Sequence, residues 1–218
     1  MSTQRNVILY IAMSLDGYIA TPDNGLEFLS LVEDNGQDYS YKDFVSTVDT
    51  VIVGRKSYEK VLSMGLEYPL TDKELYIITR TPRPAVGSAK FHTGDLNELI
   101  HTLKSQEGKN IYVDGGAEIV NELLMENLID EFYISIIPVL LGNGLQLFNN
   151  SRPQLTLQLI SSTSYNKGLV QLHYVKAWLY LAIKSGIYTA YDYSSDDLTH
   201  LMGIFFYDYL ERFLKHTR

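Results

Sequence analysis

Three short stretches carry residues on which chemistry could be built, and all three share one form. In "IYVDGGAEIV" (111–120) an apolar strand runs into Asp114, Gly115 and Gly116, and a helical pattern opens at Ala117, Glu118 and Ile119. In "VIVGRKSYE" (51–59) a valine-rich strand reaches Gly54, and Arg55, Lys56 and Ser57 open a helix. "IITRTPRP" (77–84) sets Thr79 and Arg80 just past a third strand. A strand that ends in glycine and opens a helix presents free backbone N–H groups and the positive end of a helix dipole. Both suit a phosphate or diphosphate. Two cations and a hydroxyl reinforce the second junction. The competing reading is structural: the glycines permit tight turns and close helix–sheet packing, and the cations form a solvated basic turn. The dinucleotide fingerprint G-x-G-x-x-G is absent. Histidines at 92, 101, 173, 200 and 216 lack metal-ligand spacing, so no metal site is expected.

The elements that must hold these junctions alternate between strand and helix. "RNVILYIAMS", "TVDTVIVG", "ELYIITR", "SAKFHT" and "DEFYISIIPVLL" read as strands, and "RKSYEKVLSMG" and 117–127 as helices. In "GDLNELIHTLKSQEGKN", Asp95 serves as N-cap before leucines 96, 99 and 103, with Gly108 past the end. Two alternating runs flank "YNKG", where Asn166 and Gly168 supply turn chemistry for an antiparallel hairpin. The expected fold is α/β: a mixed, mostly parallel sheet flanked by helices, with an antiparallel C-terminal hairpin. Residues 1–178 form this domain, and 179–218 form an aromatic-rich extension. From Ser195 the extension reads as a capped amphipathic helix whose apolar stripe must bury against this domain or a second copy.

The chain has 218 residues, of which 45% are hydrophobic and 20% charged, and it contains no cysteine. Disulfides, thiolate metal sites and cysteine nucleophiles are therefore excluded. A net charge of -8 argues against a nucleic-acid partner, so a phosphate ligand must be held locally. The N-terminus lacks a signal peptide's cleavage region, and no apolar run approaches the ~20 residues that span a bilayer. A cytoplasmic location and no membrane partner are expected.

The ordered motifs "MSLDGYIA", "VDTVIVGRKSYE", "IITR", "VDGGAEIV" and "LIDEFYISIIPVLLGNGLQLF" resemble the dihydrofolate-reductase-like superfamily. The nearest branch is the reductase domain of the bifunctional riboflavin-biosynthesis deaminase/reductase and its stand-alone relatives, matched over roughly residues 5–176. The resemblance implies NADPH. Backbone near Ala12 would bracket the nicotinamide carboxamide, and Gly54 to Ser57 would contact the diphosphate and the adenosine 2′-phosphate. Thr79 and Arg80 would flank the adenosine, while Gly115, Gly116, Ala117, Glu118 and Ile119 would cover the diphosphate from the other side. A phosphate monoester calls for a guanidinium, which Arg55 or Arg80 can supply, so NADPH is expected over NADH. For catalysis the resemblance places a carboxylate at Asp38, hydrogen-bonded to a hydroxyl at Ser135. Glu27, Glu33 and Asp34 are alternatives in the same acidic stretch. Asp16 would lie beside substrate and nicotinamide, or form an Asp-Gly turn. Asp114 would touch substrate or cap a helix. The segment from Gly142 to Gly144 is read as a turn without a ligand.

Several features depart from that pattern. The asparagine-and-proline-tryptophan loop of true dihydrofolate reductases is missing. Their folate-clamping arginine aligns with Lys73, which cannot form the bidentate pair. The cysteines of a deaminase zinc site are absent, and the basic cluster expected for a ribose phosphate is not obvious. The expected activity is an NADPH-dependent reduction of a small heterocyclic or carbonyl substrate, pterin-like or riboflavin-precursor-like, by a homodimer. The alternatives are a non-catalytic NADPH-binding or regulatory protein, or an interaction protein acting through its C-terminal helix.

Overall fold

The structure, a computed structural model, describes residues 5–33, 36–150 and 152–177. The expected helix from Ser195, the rest of the 179–218 extension and Asp34 lie outside the described residues. In chain order the elements are β1 (Val7–Ser14), β2 (Tyr18–Ala20), α1 (Tyr41–Ser46), β3 (Val48–Gly54) and α2 (Arg55–Ser63). Next come β4 (Glu74–Ile78), β5 (Ala89–His92), α3 (Leu96–Ser105), β6 (Asn110–Gly115) and α4 (Ala117–Met125). The described chain ends with β7 (Glu131–Ile137), β8 (Leu145–Gln146), β9 (Leu157–Ser164) and β10 (Val170–Lys176).

Eight strands make one sheet in the order β5-β4-β3-β6-β1-β7-β10-β9. The first six run parallel, and β10 turns back antiparallel to both β7 and β9. This is the mostly parallel sheet with an antiparallel edge that the alternation of elements predicts. A separate pair, β2 with β8, is antiparallel. It escapes periodicity because both of its strands are very short.

Strand β1 sits between β6 and β7 and is buried on both faces, hence its unbroken apolar run. Its side chains alternate between two cores. Val7 and Leu9 join the core that α3 and α4 cover with Leu99, Ile100, Leu103, Val120 and Leu123. Ile8 faces the opposite core with Phe44, Val51, Val53 and Tyr112. Asp95 caps α3 as its spacing predicts, its carboxylate accepting from the Glu98 N–H at 3.0 Å.

Buried Arg5 staples the base of the sheet. Its guanidinium donates to the carbonyls of Lys109 (2.6 Å) and Leu103 (3.0 Å), to the Thr50 hydroxyl (2.6 Å), and to Asp49. In the β9–β10 turn the left-handed residues are Lys167 and Gly168, so Lys167 takes the role that the sequence suggested for Asn166.

Candidate active site

The C-terminal ends of the parallel strands and the helix starts that follow them converge on one edge of the sheet. Gly54 caps α2 and Gly116 caps α4, both in extended conformation, and neither helix start receives a side-chain cap. Helix α3, capped by Asp95, shows the ordinary alternative. The two glycine junctions touch. A Cβ placed on Gly54 would lie 3.2 Å from Ile119 Cγ1 and 3.4 Å from the Gly116 nitrogen. A Cβ on Gly116 would lie 2.8 Å from Ser57 Oγ. Gly115 reaches φ +103°, a region that side chains other than glycine's resist. The packing reading of the glycines is seen directly. They allow close packing, and that packing sets two uncapped helix starts side by side.

Charged side chains frame the cradle. Lys56 donates to Glu118 at 2.7 Å, and the exposed Arg80 lies 4.0 Å from the same carboxylate. Arg55 (2.6 Å) and Arg83 (2.9 Å) share Glu59. Lys56, first, and then the nearby arginines hold the Glu118 carboxyl below its ordinary value. The Thr79 hydroxyl accepts from the Thr81 N–H at 3.2 Å, which shapes the turn after β4.

A second candidate region lies along β1, β7 and β10. Ala12 pairs with Ser135, and Ser135 with Gln171, in one row across the three strands. A cleft of about 370 Å³ opens over Ala12 and Ser135, and Asp38 lies in its lining. The fold thus brings Asp38 and Ser135 into one cleft. The hydrogen bond found for the Ser135 hydroxyl comes from Gln171, at 3.1 Å. The Asp38 carboxylate accepts from the N–H groups of Ser40 (3.3 Å) and Lys42 (3.2 Å), where it caps the entry to α1 rather than riding on a helix. Between Asp38 and α1, Tyr39 and Ser40 both take left-handed conformations, at φ 56° and 63°. Consecutive left-handed residues without glycine are uncommon and concentrate at functional sites.

Asp16 serves the turn. Its carboxylate accepts from the Ser14 hydroxyl (2.6 Å) and from the N–H groups of Gly142 (2.7 Å) and Leu141 (3.1 Å). The Ser14 bond, with the two amides adding, holds its pKa below the usual value. The 141–142 turn is thereby fixed to the turn between β1 and β2. Asp114 sits at the tip of β6 and accepts from the hydroxyls of Tyr68 and Tyr112. Burial raises its pKa, although both hydroxyls pull the other way. It therefore neither caps α4 nor lies in the cleft lining. Among the described residues there is no cluster of three potential metal ligands, and no helix is long and apolar enough to cross a membrane.

Sequence reasoning passed over Gln171, which donates at 2.8 Å to the Tyr10 hydroxyl as well as to Ser135. A signal existed: in "LVQLHYV" a glutamine occupies an inward position flanked by Leu169 and Val175, where a polar side chain must find partners.

The model of the RibD C-terminal domain matches residues 5–171. YwjB of Bacillus subtilis (strain 168), described as uncharacterized, is 41% identical over 178 residues, which is 80% of this chain and 99% of YwjB. A solved protein of Shewanella sp. PV-4, provisionally assigned to riboflavin biosynthesis, is 31% identical with a TM-score of 0.71, covering 81% of this chain and 99% of its own. Dihydrofolate reductase of Enterococcus faecalis, solved in complex with NADP(H), shares the fold at 15% identity and a TM-score of 0.55, over 81% of this chain and 99% of its own. The fold is thus of the reductase-type, dihydrofolate-reductase-like kind, and the chain belongs to the RibD C-terminal domain family.

Proposed function

We propose that the protein is an NADPH-dependent oxidoreductase that reduces a small heterocyclic or carbonyl substrate, acting as a homodimer in the cytoplasm. The observation that carries this reading is the contact between the two uncapped glycine helix starts after β3 and β6, with a cleft lined from β1 and β7 in the same sheet. Ligands of open α/β sheets bind outside the carboxyl ends of the strands. The residues fit the cofactor: a Cβ at Gly54 or Gly116 would crowd the place where diphosphate oxygens would approach backbone N–H groups.

In this reading the amides that open α2 and α4 bind the diphosphate, with Ser57 and Lys56 beside them and Gly115, Ala117 and Ile119 shaping the wall. Arg55, Arg80 and Thr79 hold the adenylate end, and a guanidinium recognises the 2′-phosphate. Ala12 lines the floor of the cleft. NADPH, when bound, supplies the hydride. Ser135, held by Gln171, orients the acceptor by a hydrogen bond, and Asp38 stabilises positive charge on it. The aromatic walls exclude water, which strengthens those interactions. Asp16 and Asp114 act as positioning residues, one on the 141–142 turn and the other on the tip of β6.

Calorimetric titration tests the reading. NADPH is expected to bind at least about tenfold tighter than NADH. Arg55→Gln and Arg80→Gln are expected to erase that preference singly or together while NADH binding stays within about twofold. Failure to bind NADPH at millimolar concentration would sink the proposal.

A further inference from the structure

We infer that the cleft accepts an uncharged, planar ring system and discriminates against a phosphorylated substrate. This inference deepens the reductase reading and rests on it only for what happens after the ring is bound.

Four observations carry it. The first is the lining: Tyr10, Tyr39, Tyr41, Leu29, Ile137 and Leu169 make the walls, and Ser135 is the one uncharged polar side chain among them besides the tyrosine hydroxyls. Burial of flat apolar surface is what such walls reward.

The second is rigidity. Tyr10 stacks on Phe44 with ring centroids 4.6 Å apart and on Tyr133 at 5.7 Å, and meets Tyr41 edge-on at 5.5 Å. Its hydroxyl donates to the Tyr39 carbonyl at 2.8 Å and accepts from Gln171 at 2.8 Å. A ring fixed at both ends presents an aromatic wall with little side-chain entropy left to lose, and offset or edge-on contact with another ring is its best use. The left-handed pair Tyr39–Ser40 adds to this by setting a second tyrosine in the lining.

The third is charge. The lining holds two carboxylates, Glu33 and Asp38, against one ammonium, Lys42. Lys167 approaches the same rim, where its ammonium donates to the Glu33 carbonyl. Among the described residues no arginine lines the cleft. A phosphate monoester carries about -1.5 to -2 charges at neutral pH and is ordinarily met by a guanidinium or by a helix start. The one helix entry within the described lining, that of α1, is already occupied by the Asp38 carboxylate on the N–H groups of Ser40 and Lys42.

The fourth is size. At about 370 Å³ the cleft lies toward the small end of ligand pockets and can seat a bicyclic or tricyclic ring.

The test uses two probes with the same ring, lumiflavin and riboflavin 5′-phosphate, titrated into the full-length protein with flavin fluorescence as readout. Lumiflavin is expected to bind at least about tenfold tighter at low ionic strength. Leu29→Arg, a half-buried lining position, is expected to narrow or reverse that ratio by adding the missing guanidinium. Equal or tighter binding of the phosphate ester by the unaltered protein would overturn the inference, as would binding of neither probe up to the solubility of lumiflavin. Titration of NADPH into the same preparation separates the two claims. NADPH binding without discrimination between the flavins defeats the substrate class alone. Discrimination without NADPH binding leaves the cleft as inferred and defeats the reductase reading.

Discussion

Replacing Gly54 by alanine separates the cofactor cradle from the rest of the fold. The backbone there is at φ -68° and ψ 142°, which alanine adopts freely, so the substitution removes unfolded-state entropy worth about 0.4–1 kcal/mol. Against that gain, the new Cβ meets Ile119 Cγ1 at 3.2 Å, the Gly116 nitrogen at 3.4 Å and the Gly115 oxygen at 3.6 Å. The first contact is inside the ~3.5–4.0 Å optimum for carbon atoms, and Ile119 is buried, so the start of α4 must move by a few tenths of an ångström. Overpacking of this kind costs about 1–3 kcal/mol. The difference is a net loss of roughly 0–2.6 kcal/mol, and each kcal/mol lowers Tm by about 2–4 °C for a domain of this size. Binding is expected to suffer more. Splaying the two helix starts weakens at least one charge-assisted hydrogen bond to diphosphate, worth about 1.5–3 kcal/mol, which is roughly a ten- to hundredfold rise in Kd for NADPH. Thermal unfolding by circular dichroism and calorimetric titration read the two effects separately. A variant that folds and binds NADPH within about twofold of the parent would refute the cradle.

Three further perturbations probe the charged groups. Asp114→Asn keeps shape and lets the amide accept from one tyrosine and donate to the other. Because the folded pKa of Asp114 lies above its unfolded value, the ionised form is the destabilised one, and its contribution improves as pH falls through the folded pKa toward about 4. Urea denaturation should find the variant at least as stable as the parent at pH 8, with the gap closing on acidification; a clear loss of stability at pH 8 would contradict this. Glu118→Gln releases Lys56 and Arg80 from a competing carboxylate and should tighten NADPH binding severalfold at low salt, with little change in Tm because exposed ion pairs contribute little. Arg5→Met leaves the Leu103 and Lys109 carbonyls and the Thr50 hydroxyl without their guanidinium partner, and should cost about 3 kcal/mol or more in urea denaturation.

The readable parts of this protein are those governed by local chemistry. The Asp95 cap, the glycine-terminated strands and the doubly buried run of β1 each follow from a residue's own conformational preference or from periodicity, and the structure shows each of them. Elements too short to develop a period, such as β2, β8 and α1, gave no comparable signal. Within the site, Asp38 and Ser135 came together in one cleft through the family pattern, whereas Gln171 as the partner of Ser135 depends on β10 returning antiparallel beside β7.

Taken alone, the chain's residue order specified the alternation of strands and helices, the glycines at two strand–helix junctions, and that no thiol chemistry is available. The tertiary structure decided which of those helix starts meet. Sheet order places β3 beside β6, and that neighbourhood turns two separate glycine junctions into a single cradle. It also decided the company each carboxylate keeps: Asp16 on backbone amides, Asp114 between tyrosines, Asp38 at a cleft rim. Dihedral preference acts over a few residues, so sequence carries it directly. Strand pairing and burial join positions a hundred residues apart, and only the packed sheet fixes them.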